Sequence, residues 1–226
     1  MSSALAPDAL APGSTGLAAS PPAGRRPEKT EAILEAAGQL FREQGYGAVS
    51  MDQIARGAGV SKATVYAHFE SKDRLFAAMI HNGCRVYAEG IMPALTEMED
   101  VRAALTHICR EIERFLLAPK TLGIYRVIIA EGPRFPELVQ AFIEAGPLPF
   151  RRMLAEFFAA ANRRGTLKVP NPVLAAHQLV WLVRGPLYLQ RMLNLNDIAW
   201  EEPTVEDVVT GAVDMVMKGY APDGRT

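Results

Sequence analysis

The stretch "VSMDQIARGAGVSKATVYAHFESKDRLF" (49–76) contains the signals for two short helices. Ser50, followed three residues later by Gln53, forms the pattern of a capping box, in which two side chains satisfy exposed amides at a helix start. The glycines of the segment "GAG" (57–59) end that helix early, and Ser61 is placed to cap another. The stretch therefore predicts two short helices joined by a glycine-containing turn, which is the helix-turn-helix arrangement.

A longer helix is predicted immediately before this stretch. Pro27 suits a first helical position, where its missing N–H costs nothing, and Gly45 suits the C-terminal cap. We therefore expect a three-helix domain over residues 25–72, preceded at 1–24 by a disordered tail rich in Ala, Pro, Ser and Gly. One apolar stripe, with spacings of three and four residues, runs along the first helix: Ile33, Ala36, Ala37, Leu40 and Phe41.

Helical patterns also dominate residues 73–226, with breaks expected at prolines and glycines such as Pro93. The segment "IYRVIIA" (124–130) has the β-branched composition of a strand, but no second strand is available to pair with it. We expect a helix here, because an unpaired strand leaves its backbone groups unsatisfied. The predicted fold class is all-α, with an N-terminal three-helix helix-turn-helix domain followed by a larger helical domain.

Composition excludes several classes of protein. The 226 residues include 24 Lys and Arg against 25 Asp and Glu, which excludes a polycation that binds nucleic acid through bulk charge. Two cysteines, Cys84 and Cys109, are too few for a disulfide scaffold or a four-cysteine zinc site. No segment has the roughly 20 apolar residues of a membrane span and no secretory signal is evident, so we expect a cytoplasmic protein.

The sequence contains no pattern typical of an enzyme. The four histidines, at positions 68, 81, 107 and 177, are far apart, and no phosphate-binding glycine loop or Gly-x-Ser-x-Gly motif is present. We therefore expect no catalytic site, no metal and no cofactor. Cys84 and Cys109 have two interpretations, a redox switch or a pair of inert thiols.

The second short helix, residues 61–69, has a face suited to the major groove of DNA. Helical spacing turns Val65 and Phe69 inward and turns Ala63 and Ala67 outward. Small outward side chains allow a close approach, in which a threonine hydroxyl can bond to a base edge and an alanine methyl can contact a thymine methyl. The candidate DNA-binding residues are Arg25, Arg26, Ser50, Ser61, Lys62, Ala63, Thr64, Tyr66, His68 and Lys72.

Each of these residues also has a structural interpretation. Tyr66 could be a core aromatic, His68 a structural histidine, and the pair Arg25-Arg26 a solvated cluster. Residues 25–74 contain eight Lys or Arg and seven Asp or Glu, so charge alone contributes little to DNA binding. Useful affinity for DNA would then require a close fit of the helix in the DNA groove and two DNA-binding domains acting together.

The stretch 49–76 resembles the DNA-binding domain of TetR-type bacterial transcriptional regulators. Ala63 departs from the pattern, because many members carry glycine there, and base preference cannot be transferred. The resemblance implies a homodimer that binds double-stranded DNA. The matching motifs are Ile54-Ala55, Ala58-Gly59-Val60-Ser61, Thr64, Tyr66, His68-Phe69, Ser71-Lys72 and Leu75.

Two apolar helices are predicted near the C-terminus, over residues 173–194 and 204–218, the second with Thr204 as N-cap. They resemble the pair through which TetR-type proteins dimerise in a four-helix bundle. The alternative is that both helices belong to an ordinary intrachain core.

The segment 126–147 resembles the sensor domain of the AefR-like subgroup, which implies an interior site for an unknown small organic ligand. Aromatic and polar side chains within apolar runs are candidates for its lining, although each also has a core-packing interpretation. These candidates are His107, Phe115, Tyr125, Arg126, Phe142, His177, Trp181, Arg184 and Tyr188.

Arg184 is the most informative of these candidates, because a charge inside an apolar run must be paired or face a cavity. It is expected to pair with Glu131 or Glu156, or to meet an acidic ligand. Pro186 is expected to kink the same helix, and such a kink can line a ligand site.

The favoured function is a ligand-responsive, sequence-specific repressor that leaves a pseudo-palindromic operator when a small organic ligand binds. The alternative is a DNA-bound regulator or architectural protein that responds to no ligand. A cavity in the larger domain favours the first of these, whereas a solid core favours the second.

Overall fold

The computed structural model describes residues 26–96, 98–195 and 203–222, and in these ranges all regular secondary structure is α-helical. The predicted all-α class is confirmed, and the segment 124–130 is helical. The predicted tail, 1–24, lies outside the described residues. The helices are α1 Arg26–Gln44, α2 Met51–Gly57, α3 Lys62–His68, α4 Lys72–Thr96, α5 Val101–Leu116, α6 Pro119–Glu131, α7 Pro136–Ala145, α8 Pro147–Arg163, α9 Pro172–Leu193 and α10 Val205–Gly219.

Local capping fixes the helix-turn-helix. The Ser50 hydroxyl accepts a hydrogen bond from the Gln53 amide, and the Gln53 side chain accepts one from the Ser50 amide, which completes the predicted capping box of α2. The Ser61 hydroxyl accepts a hydrogen bond from the amide of Thr64, 3.1 Å away, and caps α3. Gly45 ends α1 with a φ of +82°, in the left-handed region that glycine adopts without strain.

The core of the first three helices continues into the larger domain. Phe41 of α1, Tyr46 and Phe76 of α4 form a triangle of rings with centroids 5.4–5.7 Å apart. Ile124 of α6 and Leu138 of α7 belong to the same buried cluster. Movement of α6 or α7 would therefore disturb the packing of the helix-turn-helix directly.

Helix α4 connects the two parts without interruption. The break predicted at Pro93 is wrong, because the helix continues through this residue to Thr96. Pro93 removes one backbone hydrogen bond within the last turn, and burial of Ile91 and Ala94 in the core holds that turn in place. Residues of α4 consequently contact both the helix-turn-helix and the interior of the larger domain.

The second core lies between α5, α8, α9 and α10, with Leu105, Phe158, Leu179 and Val213 fully or almost fully buried. Helix α9 is broken at Gly185, whose φ of 43° and ψ of −165° are not helical. The break predicted at Pro186 is therefore present one residue earlier. No helix of the described ranges is long and apolar enough to span a bilayer.

Candidate DNA-binding surface and ligand cavity

The outward face of α3 is solvent-exposed. Lys62, Ala63, Tyr66 and Ala67 are exposed, with Tyr66 at 46%, whereas Val65 on the opposite side is fully buried. This is the orientation predicted from helical spacing. A face of two methyl groups, one ammonium group and one phenol can approach the floor of a major groove and its flanking phosphates.

Lys62 is held beside Tyr66 on this face. Its ammonium group lies 2.9 Å from a carboxylate oxygen of Asp52 and 5.9 Å from the centre of the Tyr66 ring. The hydrogen bond to Asp52 raises the pKa of Lys62 above its ordinary value. The Lys62 ammonium is thus charged and positioned next to the exposed phenol.

Two of the predicted contact residues use their hydroxyl groups within the helix-turn-helix itself. The Ser61 and Thr64 oxygens lie 2.8 Å apart in a hydrogen bond, and Ser50 is occupied in its capping box. A Thr64 contact with a base edge would therefore share its hydroxyl with Ser61. The DNA contacts of all three residues stay predictions.

His68 and Lys72 have partners inside the N-terminal domain. A ring nitrogen of His68 lies 3.1 Å from the hydroxyl of Thr30, so this histidine joins α3 to α1. The Lys72 ammonium donates to the carbonyls of Tyr46, at 2.7 Å, and Val49, at 2.9 Å. Both side chains therefore organise the domain, and their phosphate contacts stay predictions.

The Lys72 ammonium also lies 4.3 Å from the centre of the Tyr46 ring, and its partial burial lowers its pKa. Two of its three N–H groups are used by the turn between α1 and α2, so one is left for a phosphate. Arg25 and the side chain of Arg26 lie outside the described part of the chain.

A cavity of about 820 Å³ lies between α1 of the N-terminal domain and α4, α5, α6, α7, α8 and α9. Its wall is mainly apolar and aromatic, including the stacked rings of Tyr87 and Phe115, whose centroids are 4.3 Å apart. Leu34 and Gly38 of α1 also line it. The cavity has the size and lining of a site for a small organic molecule and shares a wall with the DNA-binding domain.

Four of the nine predicted ligand residues line this cavity: Phe115, Tyr125, Phe142 and Arg184. The other five lie elsewhere. His107 bonds to the Gly90 carbonyl at 2.7 Å, and Arg126 donates to the carbonyls of Arg191 and Met192 at the end of α9. Each of these two side chains thus satisfies backbone groups outside this cavity, and a ligand contact for either stays a prediction.

His177 and Trp181 line a separate groove between α9 and α10 and not this cavity, so a ligand contact for them also stays a prediction. Tyr188 does not line the cavity but packs against the Tyr125 ring, with centroids 5.9 Å apart. The lining residues of α1 and α4 were missed. A signal for part of this face was available in the helical spacing of Ile80, Cys84 and Tyr87 on α4.

Arg184 pairs with neither Glu131 nor Glu156, contrary to one of its predicted alternatives. One of its terminal nitrogens donates to the Tyr125 hydroxyl at 2.9 Å, and its Nε is buried without a hydrogen-bond partner. The Glu131 carboxylate instead accepts a hydrogen bond from the Gly47 amide. Burial raises the pKa of Tyr125 in spite of the nearby guanidinium.

Neither metal binding nor disulfide formation is indicated in the described ranges. They contain no group of three or more His, Cys, Asp or Glu side chains that could hold a metal ion. Cys84 and Cys109 are free thiols, and burial raises their pKa to about 11 and about 12 respectively. Both are therefore protonated at neutral pH, which favours the interpretation as inert thiols.

Helices α9 and α10 expose an unusual amount of apolar surface. Trp181 is 62% exposed and Met215 is 61% exposed. Such a patch on adjacent helices is typical of a protein–protein interface. The other large exposed apolar residues on these two helices are Val173, Leu174, Leu189, Leu193 and Val205.

Comparisons with known proteins identify the family. The model described as bacterial regulatory proteins of the tetR family matches residues 33–79, and the model of the AefR-like transcriptional repressor C-terminal domain matches residues 103–222. The second match covers more than half of the chain. The chain therefore belongs to the TetR family, with an AefR-like C-terminal domain, and it is a DNA-binding transcriptional regulator rather than an enzyme.

Individual relatives agree with this assignment. The structure of the flavonoid-responsive regulator FrrA is 36% identical with a TM-score of 0.72, over 87% of this chain and 98% of that one. The uncharacterized HTH-type transcriptional regulator YhgD of Bacillus subtilis is 34% identical over 202 residues, which are 86% of this chain and 97% of YhgD. The HTH-type transcriptional activator FasR of Mycolicibacterium smegmatis is 39% identical over 80 residues, so the match spans about a third of each protein.

Proposed function

We propose that this protein is a cytoplasmic, homodimeric regulator that represses transcription from a pseudo-palindromic operator and is released by a small organic ligand. The observation that carries the proposal is the position of α1. This helix contributes Ile33 and Phe41 to the core of the DNA-binding domain and Leu34 and Gly38 to the cavity wall. A ligand in the cavity therefore contacts the same helix that supports the recognition surface.

The proposed recognition surface is the outward face of α3. Lys62, Ala63 and Tyr66 are exposed on a helix whose start is capped and whose opposite side is buried. One such helix makes few contacts, so the proposal requires two copies that enter successive major grooves about one helical turn apart.

The proposed dimer contact is the exposed apolar face of α9 and α10, marked by Trp181 and Met215. Burying it against a second copy would remove apolar surface from water and set the spacing between the two α3 helices. A ligand that fits one spacing better than another would shift the population of DNA-competent dimers.

DNA binding by the purified protein tests this function. Fluorescence anisotropy with a duplex from its own upstream region should give a sequence-specific complex at sub-micromolar protein that weakens as salt rises. Tyr66→Ala should abolish the complex without changing the helical content. The matched control is Ile129→Ala, which truncates another exposed apolar side chain (65% exposed) on α6. Absence of a specific complex with the wild type would refute the proposal.

A ligand-independent regulator is the second candidate. The 820 Å³ cavity favours a ligand-responsive protein over this candidate, and the flavonoid response named for FrrA makes a flavonoid panel a rational first screen. Because FasR is an activator, the direction of regulation needs its own measurement. A promoter–reporter assay with and without the gene gives it: higher reporter output without the protein supports repression.

A further inference from the structure

The cavity wall carries an excess of positive charge. It includes five cationic side chains, those of Arg42, Arg85, Lys120, Arg151 and Arg184, and two carboxylates, those of Glu31 and Glu35. The lining thus has three more positive than negative charges, with histidine neutral, whereas the whole chain has a net charge of −1. Arg85 and Lys120 are paired with carboxylates, so the attraction for an anion comes from the cationic side chains that have no such partner.

Two of the other cationic side chains of the cavity wall are paired with a carboxylate, whereas Arg184 is not. Lys120 lies 2.7 Å from Glu35, and Arg85 pairs with Glu89. No carboxylate of the described residues lies within 4 Å of Arg184, and its Nε is buried without a hydrogen-bond partner. Its positive charge is therefore not paired with a carboxylate of the described residues.

Three aromatic rings hold the guanidinium in place. Its central carbon lies 5.3, 4.6 and 5.0 Å from the ring centres of Tyr125, Trp181 and Tyr188. Aromatic faces attract the cation without neutralising it. Because the Tyr125 hydroxyl accepts a hydrogen bond from Arg184, its own O–H is available to donate to another group.

The rest of the wall is suited to an apolar body. Tyr87 and Phe115 are stacked, and Phe150 packs on Tyr87 with ring centroids 5.5 Å apart. We infer that the cavity binds an apolar, largely aromatic ligand with one anionic group, and that Arg184 and the Tyr125 hydroxyl bind that group. This inference rests on the proposed ligand response of the same cavity.

Two fluorescent probes with the same ring system test the inference. One is 8-anilinonaphthalene-1-sulfonate, which is anionic, and the other is N-phenyl-1-naphthylamine, which lacks the sulfonate. Each is titrated into wild-type protein and into Arg184→Met, and displacement of the first probe by the second establishes a shared site. The control variant, Arg85→Met, removes a cavity arginine that already has a carboxylate partner.

Arg184→Met should weaken binding of the anionic probe about tenfold or more, because a charge-assisted hydrogen bond is lost. It should weaken binding of the neutral probe less than twofold. Retained binding of the neutral probe shows that the cavity is intact. Arg85→Met should change the affinity for either probe by less than twofold. The inference would be overturned if Arg184→Met weakened binding of both probes equally or left binding of the anionic probe unchanged. It would also be overturned if Arg85→Met weakened binding of the anionic probe as much as Arg184→Met does.

Tyr125→Phe keeps the ring and removes only the hydroxyl, so it provides the test if Arg184→Met does not fold. It should weaken binding of the anionic probe severalfold and leave binding of the neutral probe unchanged. An unchanged affinity for the anionic probe would overturn the inference. Operator binding is measured on the same samples. If the probes bind with the predicted charge preference but do not change the affinity for DNA, the proposed ligand response is refuted and the inferred anion site is not. If both probes release DNA and Arg184→Met does not alter this release, the inferred anion site is refuted and the proposed ligand response is not.

Discussion

The carboxylate of Glu131, at the end of α6, accepts a hydrogen bond from the backbone amide of Gly47 at a distance of 2.6 Å. Gly47 lies in the turn between α1 and α2, so this bond joins a helix of the cavity wall to the helix-turn-helix. The Phe135 ring, just beyond α6, packs edge-on against Tyr46 of the same turn, with centroids 5.4 Å apart. Displacement of α6 would therefore reach this turn through two separate contacts.

Glu131→Ala should loosen the turn between α1 and α2. The variant leaves the Gly47 amide without its acceptor, and we expect a loss of about 1 kcal/mol in the free energy of unfolding. Amide hydrogen exchange at residues 45–49 should become faster, while exchange in α8 should not change. Glu144→Ala, which removes an exposed carboxylate from α7, is the control. Unchanged exchange at Gly47 in Glu131→Ala would mean that the hydrogen bond does not restrain the turn.

Lys62→Ala should weaken binding to every DNA sequence by a similar factor. A lysine that neutralises one phosphate contributes about one unit to the slope of log affinity against log salt, so the slope should fall by about one. Anisotropy titrations at several salt concentrations measure it. Arg163→Ala, which removes an exposed charge at the end of α8, should leave the slope unchanged. A slope equal to that of the wild type would place Lys62 away from the DNA.

Much of the fold was predictable because its signals are local. The capping residues Ser50 and Ser61 and the terminal Gly45 act on amides within a few positions of themselves, so the sequence pattern contains the whole interaction. Pro93 shows the limit of this approach. Whether a proline ends a helix depends on the burial of the surrounding turn, and that burial is determined by distant residues.

The site was less predictable because its contacts are distant in sequence. The partners of His68 and Lys72 lie 38 and 26 residues away, and nothing in the local pattern identifies them. The apolar surroundings of Arg184 singled it out, and it lies in the cavity wall, but its partner, Tyr125, is 59 positions away. The stripe of α1 did not reveal Leu34 as a cavity residue, because core and cavity walls have the same apolar composition.

Stability should depend on pH through Glu113. This side chain is 1% exposed, both of its carboxylate oxygens lack a hydrogen-bond partner, and burial raises its pKa to about 7. Because the folded state favours the protonated form, stability is lost as pH rises from about 4.5 to about 7. The full cost, on the order of 3 kcal/mol, applies above that range.

Glu113→Gln removes this titration. The stability of the wild type relative to the variant should therefore fall between pH 5 and pH 8, as measured by urea unfolding at each pH. Glu144→Gln, at an exposed position of α7, should follow the wild type. Parallel pH profiles for the wild type and Glu113→Gln would show that the carboxyl group is not the source of the dependence.

Gly185→Ala should destabilise the protein by about 1–3 kcal/mol. The cost arises from the backbone, since φ is 43° and ψ is −165°, while a Cβ atom would make only ordinary contacts with Val208. Thermal unfolding measures the change. Gly83→Ala is the matched control, because Gly83 is helical and its added methyl group would have no neighbouring atom within 4 Å, so it should be neutral or stabilising. Equal effects of the two substitutions would rule out strain at Gly185.

The break at Gly185 also determines what surrounds Arg184. Because Arg184 is the last residue before the break, it stands at the carbonyl end of the first half of α9, where the helix dipole is negative. A neutral side chain at this position would leave the carbonyl end of this half-helix without the cation that its dipole favours. The same break in the backbone therefore positions Arg184 and stabilises its charge.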